Sequence, residues 1–355
     1  MLIYLSLMLI VLVLGFLLSK KHKVAFVVII CLLMSLISGL RHSSIGNDTE
    51  SYHRTFTIAS TYREGVFNKS RMEPGYSFLN YVFTGFSTDF NVFLFLISLV
   101  TNIAISLLIL KKSKSPTLSF ILFILLMFFF DEMNILRQFL AISIVFYGID
   151  YVERRKFWKY LLVVILASTI HISAFVTFFF YFLYGGRLSG IKKIIIYVIA
   201  IMIFAFLGEL LSTLINTFGV YDDYSPTIDD NGFKVGSIIN FLISLIIYVY
   251  YRLVSKKHDE AHTLNKDYCF FMNIALLDML FSFCAIKINM FYRLVNYTSV
   301  FSVIALPNFT SLIENPKRRM LANTIIIAIA VCYFSTITYF RPNQNKVIPY
   351  KFFWE

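Results

Sequence analysis

A few polar residues stand where an apolar chain has no routine use for them. Arg137 lies in Asn134-Ile135-Leu136-Arg137-Gln138, one turn into an otherwise apolar stretch. Spacings of three and four place Asn134, Arg137 and Gln138 on one face of a single predicted helix. An arginine at a membrane helix centre costs about 2.5–3.5 kcal/mol on insertion scales. Such a face therefore needs a buried partner or a polar ligand, unless Arg137 merely snorkels to the headgroups. His171 follows Ser168 by three and precedes Ser173. A lone helical histidine is more often a packing residue than a catalyst, but its position at a predicted helix break favours function. Arg293 and Tyr297 are four apart and share a face. Asp278, in mid-span, is a proton-pathway candidate by default, with a structural role toward Arg or Asn on a neighbouring helix preferred.

A second group is spread over residues 41–90. It begins Arg41-His42-Ser43-Ser44-Ile45-Gly46-Asn47-Asp48-Thr49-Glu50-Ser51-Tyr52 and continues at Arg71-Met72-Glu73-Pro74-Gly75-Tyr76. Gly46-Asn47-Asp48 predicts a turn capping a helix that starts at Thr49. Glu73-Pro74-Gly75 predicts a turn into a helix over Tyr76–Phe86. Read blandly, both are loop punctuation; read functionally, they form a carboxylate-and-arginine surface set against a membrane.

Other chemistries leave weak marks. Cys31, Cys269, Cys284 and Cys332 form no CxxC pair, so neither a zinc site nor a disulfide framework is indicated. Asp222-Asp223 and Asp229-Asp230 are adjacent pairs in an acidic loop, not a spaced metal-nucleotide motif. There is no phosphate-binding glycine loop, HExxH or GxSxG. No metal and no cofactor is implied.

The elements that must position these residues are membrane helices. Of 355 residues 58% are hydrophobic and 15% charged, with a mean hydropathy of +0.75, against about 25% charged in soluble proteins. Runs such as Leu2–Leu18, Val24–Leu40 and Asn323–Phe340 approach the roughly 20 residues needed to cross a bilayer. Leu2–Leu18 lacks a basic leader and is followed by Ser19-Lys20-Lys21, so it is expected to be a span rather than a cleaved signal. The net charge of +12 is dispersed in short clusters between apolar runs, as orientation signals rather than a nucleic-acid face.

Charge alternation fails at one place unless the chain breaks at His171. One helix then climbs from about Arg155 to His171, and a short segment returns from Ser173 to Tyr184. That return is about 18 Å long at 1.5 Å per residue, which requires a thinned or protein-lined region. The scheme has about twelve crossings with both termini outward. Twenty of the 32 lysines and arginines then lie inside and twelve outside, with Glu209 and Asp278 left at membrane depth. The expected organisation is one multi-span domain over 1–355. It carries an extracytoplasmic loop with short helices at 41–90, an acidic extracytoplasmic loop at 213–236 and an extracytoplasmic tail at 341–355. No inside loop is long enough to fold into a nucleotide-sugar-binding domain.

Taken together, these residues resemble the EpsG-type family of Wzy-like exopolysaccharide and capsule polymerases. The resemblance rests on Arg41 with Gly46-Asn47-Asp48 and Tyr52, on Glu73-Pro74-Gly75-Tyr76, on Arg137-Gln138 with Ala141, on His171-Ile172-Ser173-Ala174, and on Arg293 with Tyr297. Tyr297-Thr298 departs from the Tyr-Phe that family members often carry. The resemblance implies an all-α, glycosyltransferase-C-like membrane enzyme of the bacterial cell membrane. It would join oligosaccharide repeats linked to undecaprenyl pyrophosphate, with its active site on the extracytoplasmic face. Arg41, Arg137 and Arg293 would then hold the pyrophosphate, since guanidinium forks suit phosphate oxygens. His171 would be the general base, with Asp48 or Glu73 next. Tyr52, Tyr76, Asn134, Gln138 and Tyr297 would line the substrate. The bilayer and the flippase and chain-length regulator of the same pathway are the expected partners.

Three other readings compete. A flippase of lipid-linked sugars would spread polar residues through the membrane depth, whereas the candidates here gather at the predicted outer mouth. A ligase of the O-antigen type would carry its dominant outer loop late in the chain, where this one has it early; a membrane acyltransferase would turn His171 toward a cytosolic donor.

Overall fold

The computed structural model describes residues 1–70, 72–186, 188, 190–191, 195, 235–260, 264–288, 291–341 and 344–355. Arg71, Glu209, Asn289 and nearly all of the 213–236 loop, with its Asp222-Asp223 and Asp229-Asp230 pairs, lie outside the described residues. Among the described residues all regular structure is helical, as expected, and they fall into two compact units. One comprises Met1–Phe178 with Ile313–Glu355, the other Phe179–Leu312.

The first unit opens with α1 (Leu2–Leu18) and α2 (Lys23–Gly39). In α2, Val24, Val28, Leu32 and Leu36 are exposed at four-residue intervals, while Phe26, Ile30 and Met34 are buried. An apolar stripe of that length facing outward has lipid, not water, as its solvent. Three short helices follow, α3 (Thr49–Thr61), α4 (Val66–Lys69) and α5 (Pro74–Phe83). The predicted start at Thr49 holds. Helix α5 begins two residues before the predicted Tyr76, because Pro74 is preset for a first helical position. It stops at Phe83, short of the predicted Phe86, where the Thr84 hydroxyl donates to the Asn80 carbonyl.

The long α6 (Phe90–Lys112) leads to a bent pair, α7 (Pro116–Leu125) and α8 (Phe128–Asn134). These meet at 56° across Met127, whose φ of 70° breaks the ladder. A second break at Ile135 separates α8 from α9 (Leu136–Glu153). The single helix expected to carry Asn134, Arg137 and Gln138 on one face is therefore two helices. Asn134 closes the first, and Arg137 stands in the first turn of the second.

Helix α10 (Phe157–Ile170) ends at His171, and a 3₁₀ segment covers Ile172–Phe179. The break derived from charge alternation falls at the expected residue. The chain folds back on itself there. The Tyr160 hydroxyl donates to the Thr177 carbonyl at 2.8 Å, and the Phe157 and Phe178 rings lie 6.1 Å apart. A 3₁₀ helix repeats every three residues, which is how the sequence divides here. Ala174 and Thr177 are buried, and Ile172 and Phe175 are exposed.

The second unit contains α11 (Phe180–Leu183), α12 (Val235–Glu260), α13 (Lys266–Lys287), α14 (Tyr292–Ser299) and α15 (Ser302–Ser311). Phe180 packs edge-on against Phe270 and Phe301, and Tyr251 stacks on Phe309 at 4.1 Å. The long α16 (Pro316–Phe340) returns to the first unit.

Among the described residues four helices are long and apolar enough to cross a membrane: Phe90–Lys112, Gly236–His258, Lys266–Lys287 and Pro316–Phe340. The bent α7–α8 pair makes a fifth. Leu2–Leu18, Lys23–Gly39, Phe157–Ile170 and Ile172–Leu183 are apolar but shorter. The expected dozen crossings thus depend on short and broken segments.

Candidate functional site

The site grows from the Glu73-Pro74-Gly75 turn. A residue before proline is driven to extended backbone, and Glu73 obeys with φ −60° and ψ 149°. Gly75 follows because α5 presses on α10: a Cβ there would strike the side chain and carbonyl of Thr169. The turn thus sets Glu73 between two other elements. One carboxylate oxygen pairs with the Arg137 guanidinium, and the other accepts the Ile172 N–H at 3.2 Å, directly after His171. Residues from α5, α9 and the α10 break, some 100 positions apart in sequence, meet at one carboxylate.

Arg137 is also held by two aromatic rings. Its guanidinium carbon lies 5.6 Å from the Tyr52 ring centre and 5.7 Å from that of Tyr76, within reach of a cation–π attraction. The rings are 5.7 Å apart and inclined at 60°. The Tyr52 hydroxyl donates to Asp48 at 3.3 Å. Burial pushes both phenols well above their usual range, so they are neutral donors at physiological pH. Arg137 Nε and the Tyr76 hydroxyl are buried with no hydrogen-bond partner among the described residues, yet 17% of the Arg137 side chain and 21% of the Glu73 side chain remain exposed. The ion pair keeps an open edge.

Asp48, Tyr52, Glu73, Tyr76, Arg137 and the His171 break therefore converge. His171 itself is buried, with Nδ1 at 2.7 Å from the Ser173 hydroxyl. Gln138 is buried beside Arg137 in α9. Asn134 faces elsewhere, accepting the Asn47 backbone N–H at 2.7 Å.

Arg41 differs from the expectation of an open phosphate ligand. It is fully enclosed, donating to the Ser38 carbonyl and, at 2.9 Å, to the Met133 carbonyl. Burial pushes its guanidinium down to about 10, still cationic at neutral pH. Its place is to tie the end of α2 to the end of α8. Arg293 and Tyr297 lie in α14 of the second unit, Tyr297 buried. Asp278, in α13, accepts from the Ser244 and Thr298 hydroxyls, both at 2.7 Å. Its partners are hydroxyls rather than an arginine or asparagine.

Asp131 and Glu132 lie just before Asn134 and Arg137 in the sequence. Both are buried in α8. Glu132 accepts from Ser38 and Asn102 at 3.0 and 2.7 Å. Sequence reasoning missed this network, although Ser98, Asn102 and Ser106 recur on one face of α6 at four-residue spacing. Among the described residues no three His, Cys, Asp or Glu side chains gather as metal ligands do.

A helical, membrane-embedded chain that collects an arginine, a glutamate and paired tyrosines around a broken helix is an integral membrane protein with a polar site. The chain belongs to the EpsG family, whose model matches residues 24–352, and this is a family of Wzy-like polysaccharide polymerases. No curated protein and no solved structure matches the chain.

Proposed function

We propose that the protein polymerises oligosaccharide repeats carried on undecaprenyl pyrophosphate at the extracytoplasmic face of a bacterial cell membrane. Arg137 receives the pyrophosphate. The observation that carries this reading is a pair of donors without acceptors, Arg137 Nε–H and the Tyr76 hydroxyl, on a guanidinium already oriented by Glu73. Donors fixed before the ligand arrives suit a group on which negative charge develops.

In the reaction an acceptor-sugar hydroxyl attacks the anomeric carbon of the growing chain. A new C–O bond forms there, and the C–O bond to the pyrophosphate breaks. The electron pair leaves with the lipid pyrophosphate, and the hydroxyl proton passes to a base. Attack opposite the leaving group inverts the anomeric configuration. His171 is the proposed base, with Asp48 second; Glu73 has both oxygens engaged and acts by orienting Arg137. The activated pyrophosphate supplies the driving force, so no metal is invoked. Arg293, in the second unit, is the remaining candidate cation.

The test is polymer length in cells or proteoliposomes with Arg137→Ala, Arg293→Ala, His171→Gln and Asp48→Asn proteins that insert normally. Loss of long chains with single repeats retained is expected for Arg137→Ala. Parental chain length in that variant overturns the reading. A flippase would instead lose transfer of labelled lipid across the vesicle.

A further inference from the structure

Residues 344–353 are not a loose end. Residues 351–353 pair antiparallel with residues 40–42 about a single bridge, and beyond a turn Lys346 meets Gly46 one residue out of that register. Phe353 N–H donates to the Leu40 carbonyl, Arg41 bridges Phe352, His42 N–H donates to the Lys351 carbonyl, and Gly46 N–H donates to the Lys346 carbonyl, each bond 3.0 Å. Gly46 adopts φ +90° at this crossing, and a Cβ there would stand 2.7 Å from the Met133 carbonyl. Side chains add to the pairing. The Tyr350 hydroxyl donates to the Ile37 carbonyl at 2.7 Å, and the Tyr4 hydroxyl to the Val347 carbonyl at 2.9 Å. Asn47 Nδ2 donates to the Gln344 carbonyl at 2.7 Å.

Asn345 sits at the start of this segment and is buried. Its Nδ2 donates to Asp131 Oδ1 at 2.9 Å, and its Oδ1 accepts from Asn134 Nδ2 at 3.4 Å. Asn134 in turn takes the Asn47 N–H. The segment therefore grips two loops at once. One ends in Asp48, whose carboxylate holds the Tyr52 hydroxyl beneath Arg137; the other is the α8–α9 junction that starts the helix bearing Arg137. The family match runs to residue 352, so all of this pairing except the Phe353 bond lies within the matched range.

We infer that residues 344–353 are positioning residues of the candidate site, with Asn345 setting the geometry of Arg137 over Tyr52 through the loops it holds and Tyr350 fixing the segment to the end of α2. The contacts above end on those loops, on Ile37 of α2 and on Tyr4 of α1, so the segment acts through other residues and is not catalytic. The activity arm of the test rests on the polymerase reading; the geometric arm does not.

The experiment uses the full chain in detergent, with the exposed Cys332 replaced by serine and Ile45→Cys, at a buried position of the gripped loop, as reporter. Maleimide labelling rate, kcat and KM for lipid-linked repeats, and polymer length are compared for the parent, Asn345→Ala, Tyr350→Phe and Tyr4→Phe. Tyr350→Phe and Tyr4→Phe each remove one hydrogen bond and keep the ring, so they report even if Asn345→Ala fails to fold. Labelling is expected to rise about fivefold, the factor that one buried hydrogen bond commands. kcat is expected to fall about tenfold, as misorientation does, with KM little changed. Parental labelling rates in all three variants overturn the grip. Raised labelling with parental kcat overturns the positioning role. A parent that labels as expected but makes no polymer sinks the polymerase reading, and the labelling arm then still decides the grip.

Discussion

Arg137 and Glu73 form a mostly buried ion pair, and such pairs matter most when half of one is removed. Breaking one leaves an unpaired charge at a cost of about 3–5 kcal/mol. Glu73→Ala is therefore expected to lower thermal stability in detergent more than Arg137→Ala with Glu73→Ala together, measured as a double-mutant cycle. Arg137→Lys keeps the charge but loses the planar fork and the ring contacts, so long polymer is not expected to return. Gly75→Ala should push α5 off Thr169, costing about 1–3 kcal/mol and shortening polymer with it. These residues were legible in the sequence because a charge in an apolar run is rare. Their partnership was not, since nothing local links Glu73 to Arg137 or to Ile172.

Breaks, more than helices, make the site. The His171 break was recoverable because lysines and arginines report which way the chain is running, a signal independent of local propensity. The break at Ile135 carries no proline or glycine, and periodicity ran straight through it, which is why Asn134 was placed on the wrong helix. The Met127 bend is equally silent. At the His171 fold-back, Tyr160→Phe removes the bond to Thr177 and should lower stability by roughly 0.5–1.5 kcal/mol. Its unfolding midpoint against the parent measures this, and an unchanged midpoint would mean that packing alone holds the return.

The first unit collects the N-terminal helices, the broken helices and the last span around one polar network, while the second carries its own buried carboxylate at Asp278. Burial in a membrane protein follows the lipid as much as the core, so apolar runs were easily read as spans while polar seams were not. Arg41 shows the difference: its type and place implied a ligand contact, and packing made it a strut. The expected sidedness rests on charge alone. Single cysteines at Glu50 and Lys156, both exposed, are expected to label only from outside and only from inside the cell, respectively. The reverse pattern would invert the topology.

Helix α10 has 14 residues, so it rises about 21 Å at 1.5 Å per residue, against a hydrocarbon core of about 30 Å. Lipid beside it must meet a hydrophobic mismatch on the flank where Glu73 touches Ile172, at a fraction of a kcal/mol per Å. On the proposed reading, relief of that mismatch would draw the headgroup plane toward Arg137, the direction from which a polyprenyl pyrophosphate would come. Turnover in vesicles should accordingly rise as acyl chains are shortened, and the optimum should shift to longer chains when α10 is lengthened by one turn.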